Sequence, residues 1–191
     1  MISVNGYILA GGKSSRMGTD KGLMVLNGKP IVQSVIDNLH PEVNKVVIVS
    51  NNRAYEKFGF EVIEDVIKDI GPAGGIYSVL NHSETDRNFI MSCDMPFITS
   101  ATIRFIIERS TLSEITLPVH NKKLEPLFGV YSKTCLPKWK ELIEKGIIKL
   151  QDLANNFKLQ KIITDNNELF SELIFSNINT KVDFENSIKK T

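Results

Sequence analysis

The sequence predicts an α/β fold in which a mainly parallel, twisted sheet carries helices on both faces. Short apolar runs rich in β-branched residues predict strands at residues 4–10, 46–50, 89–93 and 114–119. Helical patterns lie between them at residues 30–39, 74–81 and 99–109. This alternation of strands and helices is typical of three-layer architectures, in which ligands bind beyond the carboxyl ends of the strands.

The individual elements follow from spacing and turn chemistry. The first helix opens with Pro30 at a first-turn position, and its apolar residues recur at helical spacing: Ile31, Val32, Val35, Ile36 and Leu39. A strand at residues 124–131 and an amphipathic helix at 135–145 come next. Beyond residue 150 the sequence predicts a short strand near Ile162 and a final helix at 182–189. Without a repeat or a linker-like segment, we expect a single domain.

Composition and charge exclude several classes of function. The chain has 191 residues, and its 23 basic and 22 acidic side chains leave a net charge of +1, which does not favour a nucleic-acid or membrane-surface partner. The cysteines Cys93 and Cys135 lack metal-ligand spacing and are predicted to be reduced thiols in a cytoplasmic protein. The histidines His40, His82 and His120 form no cluster, so we expect any metal to be a hard cation held by carboxylate oxygens.

The first predicted strand runs into a loop that combines glycines with cations. Gly11 and Gly12 follow the strand, and Lys13, Arg16 and Lys21 come directly afterwards. Glycine lets backbone N–H groups approach a ligand closely, and the three cations would neutralise a polyphosphate. The loop is not a Walker A motif, because a tyrosine occupies the position of its first glycine. A strand-end turn with a solvated basic loop is the alternative interpretation.

Two aspartates follow predicted strands at the same edge of the sheet. Asp65 ends the run at residues 61–65, and Asp94 ends the run at residues 89–94. A carboxylate beside a cationic phosphate loop is suited to Mg²⁺, which bridges phosphate oxygens and needs only one or two protein carboxylates. Aspartates at strand ends are also frequent as turn formers or helix caps, so both interpretations stay open for each residue.

Several motifs together resemble the molybdenum cofactor guanylyltransferases. The motifs are LAGG at residues 9–12, RMG at 16–18, DKG at 20–22, NGKP at 27–30, GPAGG at 71–75 and DMP at 94–96. The resemblance implies a Rossmann-like nucleotide-diphospho-sugar transferase fold that forms one domain over residues 1–191. Residues 1–100 would form its nucleotide-binding half, and residues 101–191 its acceptor-binding half.

The resemblance also implies roles for individual residues. It places Leu9, Ala10, Gly11, Gly12, Lys21, Asp65 and Asp94 at the nucleotide. It assigns catalysis to Lys21, Arg16 and Asp94, and binding of Mg²⁺ to Asp94. It places Asn177 and Asn179 at the pterin of the acceptor, although asparagines there are also common turn formers.

Two further positions near the nucleotide keep alternatives open. Asp20 either orients the neighbouring Lys21 or lies in solvent. Ser50 stands where some family members carry an asparagine that contacts the nucleotide, so Asn51 or Asn52 would have to replace that contact.

The activity implied by the resemblance is transfer of GMP from GTP to the terminal phosphate of molybdopterin, with release of pyrophosphate. Its substrates would be GTP and molybdopterin, other cofactor-biosynthesis proteins or molybdoenzymes would be its partners, and we expect a monomer. A cytidylyltransferase or a sugar-phosphate nucleotidyltransferase of the same fold is the nearest alternative. A glycosyltransferase is disfavoured because no Asp-x-Asp motif follows a predicted strand. A non-catalytic nucleotide-binding module remains a further possibility.

Overall fold

The computed structural model describes residues 3–11, 20–110, 113–171 and 173–175. Three predictions lie outside these residues. They are the part of the glycine-rich loop that contains Gly12, Lys13 and Arg16, the acceptor contacts Asn177 and Asn179, and the helix at residues 182–189.

Ten strands occur in the described part of the chain. In chain order they are β1 (Val4–Leu9), β2 (Val25–Leu26), β3 (Lys29–Pro30), β4 (Val46–Val49), β5 (Glu61–Ile63), β6 (Arg87–Ser92), β7 (Ile115–His120), β8 (Lys123–Leu124), β9 (Phe128–Ser132) and β10 (Leu159–Ile163).

The described helices alternate with these strands. They are α1 (Ile31–Leu39), α2 (Pro72–His82), α3 (Ser100–Arg109), α4 (Leu136–Glu144) and α5 (Leu150–Ala154). Two 3₁₀ helices, Lys21–Leu23 and Arg53–Phe58, follow β1 and β4 respectively and contribute to the site described below.

The main sheet has eight strands, in the order β10-β7-β9-β6-β1-β4-β5, with β8 paired to β7. Strand β1 is parallel to both β4 and β6, β4 is parallel to β5, and β7 is parallel to β10. Strand β9 is antiparallel to its neighbours β6 and β7. The prediction of a mainly parallel sheet is therefore confirmed, and the carboxyl ends of β1, β4, β5, β6 and β7 meet at one edge.

Helices cover both faces of this sheet, as the sequence predicts. Side chains of β1 alternate between the faces: Ile8 packs in a cluster with α1 and α3, whereas Tyr7 packs in a cluster with α2, α4 and α5. The apolar stripe of α1 is buried along its whole length. Burial of apolar surface on both faces holds the strand ends at a fixed position, and the candidate site lies at those ends.

Some predicted elements are wrong in their boundaries. The predicted strand at residues 124–131 is interrupted, because a turn closed by a 3.2 Å hydrogen bond from the Phe128 amide to the Glu125 carbonyl separates β8 from β9. Pro126 lies within that turn and has no amide hydrogen to donate to a strand neighbour. The short helix α5 was not predicted, since five residues are too few to establish a helical period.

In the part of the chain that the structure describes, no helix is both long enough and apolar enough to cross a membrane.

Candidate active site at the carboxyl edge of the sheet

The end of β1 brings backbone to the carboxyl edge of the sheet. Leu9 and Ala10 are buried there, whereas Gly11 is exposed. A Cβ atom built on Gly11 would meet no heavy atom of the described residues within 4 Å. Within the described ranges, the main chain of Gly11 is therefore not covered by other residues, as a backbone that approaches a ligand requires.

Lys21 and Asp94, two of the three predicted catalytic residues, lie side by side at this edge. Nζ of Lys21 is 3.7 Å from Oδ2 of Asp94, and the two side chains are only 23% and 13% exposed. Ser92, the last residue of β6, donates a 2.6 Å hydrogen bond from Oγ to Oδ1 of Asp94. The structure thus places a cation and a carboxylate from distant parts of the sequence within reach of one ligand.

Asp20 anchors the 3₁₀ helix that carries Lys21. Its carboxylate accepts hydrogen bonds from the Gly22 amide at 3.2 Å, the Tyr55 hydroxyl at 2.5 Å and Nδ2 of Asn52 at 3.0 Å. The alternative that Asp20 merely lies in solvent is wrong, because three donors from two loops hold its carboxylate. Its position instead agrees with an orienting role for the neighbouring Lys21.

Tyr55 is the donor in this network that the sequence did not identify. It is fully buried, and burial raises the pKa of Tyr55 well above its usual range, so its hydroxyl remains protonated and able to donate. A Cβ on Gly22 would lie 2.3 Å from the Tyr55 hydroxyl and 3.2 Å from Sγ of Cys93. Only glycine fits at position 22 with this packing. Cys93 is buried beneath the loop, and burial raises the pKa of its thiol.

Asp65 lies two residues beyond β5, on the other side of β1 from Asp94. Asn51 Nδ2 donates to Asp65 Oδ2 at 3.3 Å, and the Asp65 amide donates to Asn51 Oδ1 at 3.2 Å. The second carboxylate oxygen, Oδ1, is buried, and no described residue forms a hydrogen bond with it. Burial raises the pKa of Asp65, and the bond from Asn51 opposes that effect.

The unpaired oxygen of Asp65 faces the start of α2. A Cβ built on Gly75 would lie 3.6 Å from this oxygen and 3.3 Å from the side chain of Leu9. Leu9, Asp65 and Gly75 therefore lie close together at the sheet edge. A buried acceptor without a donor is costly, so a ligand that presents an N–H group here would restore the lost hydrogen bond.

The asparagines that follow β4 have separate tasks. Asn51 pairs with Asp65, as described above. Asn52 donates to Asp20, and its Oδ1 caps the 3₁₀ helix by accepting a 3.0 Å bond from the Ala54 amide. Ser50 is buried and accepts a 3.1 Å bond from the Asn52 amide. Of the two candidate replacements for a nucleotide-contacting asparagine, only Asn51 lies beside Asp65.

The carboxylate oxygens of Asp94 are ligands of the type that Mg²⁺ prefers. Mg²⁺ prefers oxygen ligands and binds through one or two carboxylates together with waters and substrate phosphates. The two oxygens of Asp94 satisfy this preference at a partly accessible position beside Lys21. Within the described ranges, no three His, Cys, Asp or Glu side chains are grouped so that they could hold a metal ion.

Comparison with known proteins identifies the family. Residues 6–160 match the family of the MobA-like NTP transferase domain. The chain belongs to this family. A "probable molybdenum cofactor guanylyltransferase" of Flavobacterium johnsoniae is 36% identical over 181 residues, which cover 94% of each chain. A molybdenum cofactor guanylyltransferase of Vibrio parahaemolyticus is 41% identical over 148 residues, which cover 75% of each chain.

Solved structures share the architecture of this family member. A protein of Aquifex aeolicus has a TM-score of 0.79 at 29% identity and covers 92% of this chain and 93% of its own. Molybdopterin-guanine dinucleotide biosynthesis protein A of Archaeoglobus fulgidus has a TM-score of 0.82 at 23% identity and covers 97% of each chain. The predicted nucleotide-diphospho-sugar transferase fold is confirmed.

Proposed function

We propose that this nucleotidyltransferase transfers GMP from GTP to the terminal phosphate of molybdopterin, forming molybdopterin guanine dinucleotide and pyrophosphate. The observation that carries the proposal is the pairing of Lys21 with Asp94 at 3.7 Å, at the sheet edge where the exposed Gly11 follows β1. Relatives that are guanylyltransferases and match most of the chain support the choice of substrates.

The proposed nucleotide site lies over β1, β4 and β5. The main chain of Leu9, Ala10 and Gly11, continued by Gly12, approaches the nucleotide, and Asp65 accepts a hydrogen bond from the guanine. Guanine presents an N1–H and an amino group as donors, whereas adenine presents an unprotonated N1 at the corresponding place. The unpaired Oδ1 of Asp65 would therefore favour guanine by about 1–3 kcal/mol for each matched group.

The chemistry requires positioning and charge neutralisation more than acid–base catalysis. A phosphate oxygen is already ionised at neutral pH, so it attacks the α-phosphorus of GTP without a covalent enzyme intermediate. Lys21, assisted by Arg16, stabilises the charge of the departing pyrophosphate. Asp94 holds Mg²⁺, which when bound adds positive charge at the phosphate oxygens.

The remaining parts of the proposal concern the acceptor and the cellular context. Asn177 and Asn179 contact the pterin, residues 1–100 bind the nucleotide, and residues 101–191 bind the acceptor. We expect the protein to act as a monomer in the cytoplasm and to exchange its product with other cofactor-biosynthesis proteins or molybdoenzymes.

The decisive experiment measures pyrophosphate release with GTP, ATP, CTP and UTP, each with and without molybdopterin and magnesium. We expect release with GTP only when molybdopterin and magnesium are both present, and a dinucleotide product of matching mass. Comparable incorporation of CTP would replace the guanylyl assignment with a cytidylyl one. Release that requires a sugar phosphate would identify the other alternative, and no release with any acceptor would indicate a non-catalytic binding module.

A further inference from the structure

The indole of Trp139 links helix α4 to the start of helix α2. Trp139 is fully buried, and its Nε1 donates a 3.1 Å hydrogen bond to the carbonyl of Ala73. Pro72 is the first residue of α2, so Ala73 lies in the first turn of that helix. The bond joins residues that are 66 positions apart and ties together two helices that share one face of the sheet.

Other aromatic rings hold the indole in a defined orientation. The ring of Phe157 stacks on it with centroids 5.8 Å apart, and the ring of Tyr131 meets it edge to face at 5.9 Å. Tyr131 is itself held, because its hydroxyl donates a 2.6 Å bond to the Pro126 carbonyl. A buried indole packed against two rings has little freedom to turn, so its N–H keeps a fixed direction toward α2.

The turn that receives this bond borders the proposed base site. Ala73 is two residues before Gly75, and a Cβ built on Gly75 would lie 3.3 Å from the Leu9 side chain and 3.6 Å from Oδ1 of Asp65. No described residue forms a hydrogen bond with that oxygen. A displacement of the turn would therefore change its distance from both Leu9 and Asp65, which is where the base is proposed to bind.

The first turn of α2 benefits from an anchor outside the helix because its own residues form a weak helix start. Gly74 and Gly75 are consecutive in this turn, and glycine has the lowest helix propensity of any residue except proline. Packing nevertheless requires Gly74, since a Cβ there would lie 2.4 Å from the carbonyl oxygen of Ile67. The N-cap residue, Gly71, has no side chain with which to cap the helix. The bond from Trp139 offsets this local weakness.

We propose that Trp139 is a positioning residue of the nucleotide site, whose indole N–H holds the first turn of α2 at the distance from Leu9 and Asp65 at which guanine fits. This inference rests on the proposed function, from which it takes the place of the base. Trp139 acts through the backbone of Ala73 and does not itself contact the nucleotide. It also lies outside residues 1–100, so the nucleotide site depends on a residue of the half that was assigned to the acceptor.

The test removes the indole N–H and keeps the shape of the side chain. Trp139 is the only tryptophan of the chain, so replacement of tryptophan by 3-benzothienylalanine, which carries sulfur in place of the N–H, changes this position alone. Trp139→Phe is the second variant, and the analogue decides the question if that variant does not fold. In calorimetric titrations with magnesium, we expect each change to weaken GTP binding about three- to tenfold. ATP binding should change less, so the preference for GTP over ATP narrows.

Steady-state transfer separates positioning of the nucleotide from other effects. Both changes at Trp139 should raise the KM for GTP by a similar factor and leave kcat and the KM for molybdopterin unchanged, as expected when only binding of the nucleotide is weakened. The matched control is Tyr131→Phe, which removes a buried donor from the same aromatic cluster, but one whose bond ends at Pro126 and not in α2. It should lower the midpoint of thermal unfolding and retain the wild-type preference for GTP.

The outcomes distinguish this inference from the proposed function. A purely structural indole would lower the unfolding midpoint and leave the ratio of GTP to ATP affinity at its wild-type value, and that result would overturn the inference. An equal narrowing of the ratio in Tyr131→Phe would also overturn it, since the effect would then come from the aromatic cluster in general. In both cases, normal guanylyl transfer by the wild type leaves the proposed function intact. A wild-type protein that transfers CMP and not GMP would overturn both proposals.

Discussion

The hydroxyl of Tyr55 offers a direct test of how the protein holds Lys21 in place. Tyr55→Phe removes the 2.5 Å bond to Asp20 and keeps the buried ring. A hydrogen bond to a charged group contributes about 1.5–3 kcal/mol. We expect the low end, about 1.5 kcal/mol, because Asp20 is only partly buried and retains two other donors. For a domain of this size, that loss lowers the midpoint of thermal unfolding by about 3–6 °C.

The same substitution should reduce turnover, since Asp20 caps the short helix that carries Lys21. If about 1.4 kcal/mol of positioning is lost in the transition state, kcat/KM for GTP falls about tenfold. Steady-state pyrophosphate release and thermal unfolding followed by circular dichroism measure the two effects. The matched control is Tyr7→Phe. It removes another fully buried tyrosine hydroxyl, which lies 3.2 Å from Nδ1 of His82. Tyr7 lies within β1, away from Lys21.

We expect Tyr7→Phe to lower the unfolding midpoint slightly and to leave turnover unchanged, because its hydroxyl contacts His82 at the carboxyl end of α2, whereas the start of α2 faces the site. The reasoning would be refuted if Tyr55→Phe had wild-type stability and turnover. It would also be refuted if the two variants lost turnover to the same extent, since the effect would then reflect a buried hydroxyl in general and not the anchoring of Asp20.

Three further predictions address the proposed site. Lys21→Ala should lower turnover about 10²–10³-fold with little change in stability, and near-normal pyrophosphate release from the folded variant would exclude Lys21 from the phosphate site. Asp94→Asn should abolish magnesium-dependent activity while metal-free GTP binding persists; a magnesium titration identical to that of the wild type would place the metal elsewhere. Burial raises the pKa of Asp65, so the stability contributed by its protonated form is lost as pH rises through that pKa. Asp65→Asn should therefore raise the unfolding midpoint of the nucleotide-free protein at pH 7 and weaken the preference for GTP over ATP in competition. A lower midpoint and an unchanged preference would contradict both parts.

Local patterns in the sequence predicted much of the fold. The buried run that becomes β1, the apolar stripe of α1 and the turn residues after each strand are properties of neighbouring residues, so they are visible without a structure. Because ligands of such sheets bind beyond the carboxyl ends of the strands, the sequence also predicts that Gly11, Lys21, Asp65 and Asp94 lie at one edge of the sheet. The structure brings Lys21 and Asp94 into contact, and it leaves Asp65 on the other side of β1.

Contacts between distant residues could not be predicted in the same way. Asp20 meets Tyr55 across 35 positions and Asn52 across 32, and no periodicity connects these residues. The pairing of Asn51 with Asp65, which leaves one carboxylate oxygen without a partner among the described residues, also depends on β4 and β5 being neighbours. Such contacts form only in the assembled sheet, because strand pairing brings residues that are distant in the sequence next to one another.

The sequence by itself determined that this is an α/β protein with a glycine-rich, cationic loop and carboxylates at the strand ends, because hydrophobic period and turn chemistry are local. Only the tertiary structure decided that β9 enters the sheet antiparallel between β6 and β7. A strand pattern carries no direction, and the direction follows from how the chain crosses the sheet and buries both of its faces.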